Sequence, residues 1–113
     1  MTSYRVKKYQ KAILRILNEY AKIKYANVDG ENQVVADKEK HIYQVVTTGW
    51  EDGLYINDCP MRFDIINNKI WVQQNNTEWE VGEMFRDMGI SKSEIVLGFL
   101  KPSTRALTDY AVA

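Results

Sequence analysis

With one histidine and one cysteine in 113 residues, this sequence has few routes to nucleophilic chemistry. A thiol nucleophile needs a base beside it, and His41 with Cys59 is the only such pair. Both residues also have simpler readings: His41 opens a strand as a surface or hydrogen-bonding group, and Cys59 acts as a small buried hydrophobe. A metal held by His41, Asp58, Cys59 and Asp64 fits no closed ligand spacing. A metal-dependent nuclease clusters carboxylates near a lysine on strands, and Asp64 with Lys69 comes nearest. Asn67-Asn68 puts a turn between those two, so they read more simply as charges flanking a hairpin. Gly49, Gly53, Gly82, Gly89 and Gly98 are isolated and form neither phosphate-cradling pattern. Any enzymatic site would therefore have to be assembled by the fold from scattered groups such as Asp64, Lys69, Glu78 and Arg105. The expectation is a protein that is not an enzyme and carries no metal or cofactor.

Such groups must be positioned by elements, and composition limits which elements are available. Apolar residues at 45% and charged residues at 27% are globular proportions, which favours neither a disordered chain nor a membrane-embedded one. The length suits a single domain over residues 1–113. No apolar run approaches the roughly 20 residues needed to span a bilayer. The opening MTSYRVKKYQ leads into no signal-like apolar stretch, and a lone cysteine forms no internal disulfide, so a cytoplasmic protein is expected.

The zero net charge conceals a split. Residues 1–24 hold seven basic groups against Glu19 alone, a net of +6, which leaves −6 for the rest. Two attracting halves, within one chain or across a dimer, account for this simply. A nucleic-acid contact through Lys7, Lys8, Lys11 and Arg15 is the sharper alternative, although no helix-turn-helix, zinc finger or aromatic RNA-binding strand accompanies those lysines.

Tyr9, Ile13, Ile16, Leu17, Tyr20 and Ile23 recur at helical spacing, so residues 4–26 read as one amphipathic helix. Thr2 or Ser3 caps its start and Asn27 to Gly30 allow its end. Strand periodicity follows: QVVAD at 33–37, HIYQVVTTGW from His41, a tight turn at Asp52-Gly53, a stretch from Leu54, and MRFDII joined to KIWVQQ through Asn67-Asn68. Pro60 cannot donate to a ladder, which places its strand at an edge, in a bulge or at a start. Thr77 with Glu80 forms a capping-box pattern ahead of Val81, Met84, Phe85 and Met88, with Gly89 as the stop, and Ser91 with Glu94 repeats it before the strand-like IVLGFL. The fold class predicted is α+β: a long N-terminal helix on a four-stranded antiparallel meander, a second helix and an ordered C-terminal strand and tail.

The last nineteen residues, IVLGFLKPSTRALTDYAVA, are too apolar and too punctuated for a frayed end. Pro102 should turn the chain. Arg105 has little core of its own, so its guanidinium is expected to pair with a carboxylate, a chain terminus or a partner. Gly49, Gly98 and Pro102 read as backbone positions, and Trp50, Trp71 and Phe99 as packing residues.

One resemblance covers nearly the whole chain. GW at 49–50, FDI at 63–65, KIWVQ at 69–73, NNTE at 75–78, GISKSEIVLGF at 89–99 and PSTRALTDYAVA at 102–113 occur in one order, and the tail meets G-F-x-x-P-x-x-R-x-x-T-x-x-A-V-A through Gly98, Phe99, Pro102, Arg105, Thr108, Ala111, Val112 and Ala113. Together they resemble the XisI family, excision controlling factors named for the fdxN DNA element. The resemblance implies an accessory, regulatory part in programmed site-specific DNA excision and recombination, beside a recombinase and an XisH-like partner protein. It also implies a compact homodimer with no assigned catalytic residue. The candidate motif and interaction residues are Gly49, Trp50, Asp64, Lys69, Trp71, Thr77, Glu78, Gly98, Phe99, Pro102, Arg105 and Thr108. Four positions depart from the family pattern: Arg62, Asn75, Ser91 and Leu107 stand where histidine, aspartate, proline and an aromatic residue are frequent.

Overall fold

Alternating apolar residues build the sheet, and a computed structural model describes it across residues 3–26 and 28–113. Four strands, β1 (Asp29–Asp37), β2 (Ile42–Glu51), β3 (Leu54–Ile66) and β4 (Lys69–Asn75), follow one another as an antiparallel meander. A fifth, β5 (Ile95–Leu97), joins the β4 edge in parallel, with Ile70 opposite Ile95. The expected four-stranded antiparallel sheet is thus five-stranded and mixed. The intervening helical segment carries the chain back across the sheet, and a crossover of that kind delivers a parallel strand. The IVLGFL stretch is strand only as far as Leu97.

The two tight hairpins form where the turn residues indicate. Asp52 and Gly53 take φ of 49° and 79°, and Asn67 and Asn68 take 50° and 60°. Positive φ at both central residues gives a two-residue loop whose twist matches the flanking strands. Pro60 lies in an interior strand, accommodated by a bulge: Val45 pairs with Met61 and Thr47 with Asp58, so Cys59 and Pro60 oppose Val46 alone. The β4 ladder ends at Met61 and Asn75, so the missing proline N–H interrupts no bond on that side either.

The first helix, α1 (Tyr4–Ala21), starts where Ser3 Oγ accepts the Val6 N–H at 3.2 Å. It ends five residues short of the expected 26. The N–H groups of Lys22 and Ile23 close in a tighter turn on the carbonyls of Glu19 and Tyr20, and the chain then crosses to the sheet edge, where β1 begins at Asp29 rather than Gln33. Nothing local breaks the helix. Tertiary contacts outweigh propensity: Ile23 still packs on the core, and the Tyr25 hydroxyl meets that of Tyr20 at 2.5 Å. The capping role given to Thr2 and the helix-end role given to Asn27 lie outside the described residues.

Tyr9, Ile13, Ile16, Leu17 and Tyr20 of α1 pack on Tyr43, Val45, Phe63, Ile70 and Val72 of the sheet. Helix α2 (Val81–Asp87) covers the same face, with Phe85 edge-on to Phe63 at 5.4 Å. It begins at Val81 without the Thr77–Glu80 box. The Thr77 hydroxyl instead donates to Asn75 Oδ1 at 2.5 Å and accepts the Trp79 N–H at 3.1 Å, which makes a turn in place of a cap. The second box does form: the Ser91 N–H and hydroxyl both donate to the Glu94 carboxylate, at 2.8 and 3.2 Å, opening a single 3-10 turn before β5. Among the described residues no helix is long and apolar enough to cross a membrane.

The tail docks on its own domain. Pro102–Arg105 form a one-turn helix, α3. The Ala111 N–H then donates to the Ile95 carbonyl at 2.8 Å, so Ala111 bridges β5 on its outer side. Tyr110 lies so close to Gly82 that any side chain at position 82 would collide with its ring.

Candidate functional site

Both α1 and α2 cover one sheet face, so side chains of opposite parity point away from the core. Asp64 and Trp71 face each other across β3 and β4 on that second face. Asp64 is 7% exposed and is the one polar residue among the described core positions. Arg62, two positions earlier on the same strand, donates Nε and Nη2 to its two carboxylate oxygens at 3.0 Å each. Gln73 Nε2 adds a third bond at 3.2 Å. The hydrogen bond to Asp64, against a smaller effect of burial, raises the Arg62 pKa further above its ordinary value. This carboxylate accepts three hydrogen bonds from side chains of the sheet, which is the work of a structural acceptor.

A second guanidinium sits at the β5 end of the same face. Arg105 stacks over the Trp71 ring at 5.0 Å and donates Nε to the Leu97 carbonyl at 3.2 Å, Nη2 to Gly98 and Nη1 to Val112 at 3.4 Å. Within the chain its acceptors are three main-chain carbonyls, one of them Val112 beside the chain terminus, together with an aromatic face, and no carboxylate pairs with it among the described residues. Gly98 permits the approach, since a Cβ there would lie 2.5 Å from Gln73 Oε1 and 3.2 Å from Trp71. Trp71 Nε1 is buried with no acceptor among the described residues, and the ring face carries the Arg105 guanidinium. Thr108 closes the turn by donating to the Arg105 carbonyl at 2.8 Å and accepting the Tyr110 N–H.

The fold thus gathers four of the motif residues, Asp64, Trp71, Gly98 and Arg105, into one cluster with Arg62 and Gln73. Gln73 closes the KIWVQ stretch but is not among the candidate residues, although its same-face position two residues from Trp71 on β4 is the signal that could have found it. The other motif residues lie elsewhere. Gly49 sits back-to-back with Gly30 across β1 and β2, where a Cβ would come within 2.5 Å of the Gly30 Cα. Trp50 and Phe99 are not core residues: they are 54% and 55% exposed, and Trp50 packs edge-on to Tyr55 at 5.1 Å near the hairpin tip. Glu78 and Pro102 are exposed, Thr77 serves its local turn, and Lys69 makes no ion pair among the described residues.

The alternative chemistries fare similarly. His41 Nδ1 lies 3.3 Å from the Tyr43 hydroxyl, while the Cys59 thiol donates toward Gln44 and Met61 at 3.5 Å, so the two have separate partners. Burial pushes the Cys59 thiol above its ordinary pKa, outweighing the Met61 and Arg62 contributions. A cleft of about 590 Å³ runs between the α1 end and the β2–β3 hairpin, lined by Tyr20, Tyr25, Ile56, Asp58 and Cys59 among others. Asp64, Lys69, Glu78 and Arg105 do not line it. Among the described residues no three histidine, cysteine, aspartate or glutamate side chains come together.

On α1, Lys7, Lys11 and Arg15 are exposed, whereas Lys8 is half-buried and donates to the Gly89 carbonyl at 2.7 Å. Next to it, Tyr9 donates to Glu94 at 2.8 Å. Burial, the Glu94 hydrogen bond and its charge raise that phenol well above the usual range. Burial also pushes the Glu94 carboxyl up, but the Ser91 N–H, the Tyr9 hydroxyl and Lys8 outweigh it and leave the pKa below its ordinary value.

Among curated proteins none matches this sequence. Two crystal structures from Anabaena variabilis ATCC 29413 share the fold. A XisI-like protein is 37% identical with a TM-score of 0.85, covering 96% of this chain and 99% of its own. The fdxN element excision controlling factor XisI is 24% identical with a TM-score of 0.81 over the same shares. The XisI protein family matches residues 3–112. With nearly every described residue inside that match, and with Trp71 of the KIWVQ stretch meeting Gly98 and Arg105 of the tail motif in one cluster, the chain belongs to the XisI family.

Proposed function

We propose that this protein is a non-enzymatic accessory factor in programmed DNA excision, working as a homodimer through contacts with an XisH-like protein. The observation carrying this reading is how the polar groups are used. Asp64, Arg62 and Arg105 spend their donors and acceptors on the fold, while Trp50, Leu54, Tyr55, Phe99 and Leu107 are left more than half exposed. Exposed aromatic and aliphatic side chains of this size favour macromolecular contact over turnover of a small substrate. The excision role itself is that of the related controlling factor.

Co-expression with an XisH-like protein tests the partner. A complex should be captured, and Trp50→Ala with Leu54→Ser, or Phe99→Ser with Leu107→Ser, should weaken it at least tenfold without unfolding the chain. No complex with the unaltered protein would sink the proposal. Sedimentation equilibrium should give twice the chain mass.

A second reading, DNA association through α1, is favoured by the exposed cations Lys7, Lys11 and Arg15 on one helix. Replacing those three with alanine should lower duplex affinity and reduce the salt slope by about 0.9 for each phosphate no longer neutralised. Absence of any gel shift in low salt removes it. Lys8 is left out of the test because it is tied to Gly89.

A further inference from the structure

The two edges of the sheet differ. At one, β5 is three residues long and Ala111 already bridges it. At the other, β1 runs nine residues in unbroken register with β2 from Asp29–Trp50 to Asp37–Ile42, with no bulge. Every second residue of such a strand turns its N–H and C=O away from the partner strand, and among the described residues no main-chain group receives them. Natural edges are guarded by charged side chains, proline, bulges, shortness or covering segments. The only such device in β1, DGENQVVAD, is its carboxylates, a guard that a basic strand would neutralise, while the opposite edge is both short and covered.

The side chains say what could pair there. Asp29, Glu31, Gln33, Val35 and Asp37 share the face away from the helices. Asp37 is occupied by the turn, accepting the Lys40 and Glu39 N–H groups at 2.9 and 3.0 Å. Asp29 and Glu31 form no ion pair among the described residues; Glu31 accepts only Gln33 Nε2, at 3.2 Å. The edge therefore offers an exposed apolar residue, Val35, an amide and then two carboxylates, Glu31 and Asp29, spaced two residues apart and outside any ion pair among the described residues. A second copy is a poor occupant. Antiparallel self-pairing centred on Gln33 sets Asp29 opposite Asp37, and centring on Val34 sets Glu31 opposite Asp37, and like charges directly opposite are destabilising; the shorter register centred on Asn32 avoids that clash but sets Asp29 opposite Val35 and Glu31 opposite Gln33, with no cation for either carboxylate.

We infer that β1 is a docking edge for an extended basic segment of another protein, which adds as a sixth, antiparallel strand and places lysine or arginine beside Asp29 and Glu31. Main-chain bonds would supply the affinity and the alternate side chains the selection. The inference stands on the edge itself, so it survives if the XisH-like partner proves wrong.

The probe is the peptide Ac-Val-Ser-Thr-Ser-Lys-Thr-Lys-NH2, titrated into the unaltered protein and followed by amide exchange and NMR shifts. Alternate amides of β1 should slow at least tenfold, and added salt should weaken binding. In the Asp29→Lys/Glu31→Lys variant, whose fold is checked by its spectrum, affinity should fall at least tenfold and return when both peptide lysines are replaced by glutamate. A peptide N-methylated at alternate residues should bind at least tenfold more weakly. Unchanged β1 exchange at millimolar peptide overturns the inference. So does indifference to charge reversal or to N-methylation, and so does protection of β1 by self-association of the free protein.

Discussion

Arg105 shows how one side chain can close a fold. Its three acceptors diverge, two at the end of β5 and one in the tail, and its plane lies on Trp71. A lysine ammonium cannot reproduce that fork and stack. Arg105→Lys should cost about 1 kcal/mol and Arg105→Ala about 2 kcal/mol of stability in urea titrations, by analogy with charged hydrogen bonds; unchanged stability would argue for a ligand-binding arginine instead. The residue type and its isolation in the sequence identified it as an anchor, but its acceptors were illegible because main-chain carbonyls leave no mark in a sequence. Glu94 brings a pH dependence. Its folded pKa is lowered, so its contribution is present above the ordinary carboxyl pKa of 4.5 and is lost as pH falls through the folded value. Stability should therefore decline below about pH 4.5, and Glu94→Gln should flatten that limb of the acid titration, measured by thermal melts. Cys59 makes the opposite prediction at the alkaline end. With its thiol raised above an ordinary pKa of 9.0, alkylation by iodoacetamide should stay slow at pH 8 and show a midpoint above pH 9.

At the scale of elements, local chemistry and tertiary context separate clearly. Asp52-Gly53 and Asn67-Asn68 announced their hairpins because positive φ restricts residue choice so sharply. The Thr77–Glu80 box failed because the Thr77 hydroxyl accepts the Trp79 N–H in place of the Glu80 N–H, held in that turn by its donation to Asn75 at the end of β4. The helix end at Ala21 and the strand start at Asp29 were misplaced for the same kind of reason, since nothing local marks where the chain must leave the helix layer to reach the sheet edge. Gly49 had a legible role but an invisible partner. It meets Gly30 across two strands, and only the register shows the pairing. Gly49→Ala should force those backbones apart and cost about 1–3 kcal/mol, an overpacking penalty. Gly53→Ala, with open space around its Cβ but a φ of 79°, should cost only about 1 kcal/mol. Chemical denaturation of the two variants side by side checks the ordering, and equal losses would mean that the β1–β2 contact is not tight.

The molecule as a whole is a one-sided sheet sealed at its last edge by its own tail. The meander β1 to β4 has sequence-adjacent partners, whereas β5 depends on a parallel crossover and on Ala111. Contacts between sequence neighbours form at low loop-closure cost, so the meander should be the more autonomous unit and the β5–tail region the one that opens separately. Tyr110 couples the two, because its ring presses on Gly82 of α2 while the next residue bridges β5. Tyr110→Ala should release that bridge and leave a gap over α2. In native-state hydrogen exchange, the Ala111 amide, whose acceptor is the Ile95 carbonyl, and the amides of Ile95 to Leu97 should then quicken by at least tenfold. Amides of β2 and β3 should continue to exchange at the rate set by global unfolding. Uniform acceleration across all five strands would instead mean that tail and meander open as a single unit, and that the tail belongs to the core of the fold rather than being a clasp laid upon it.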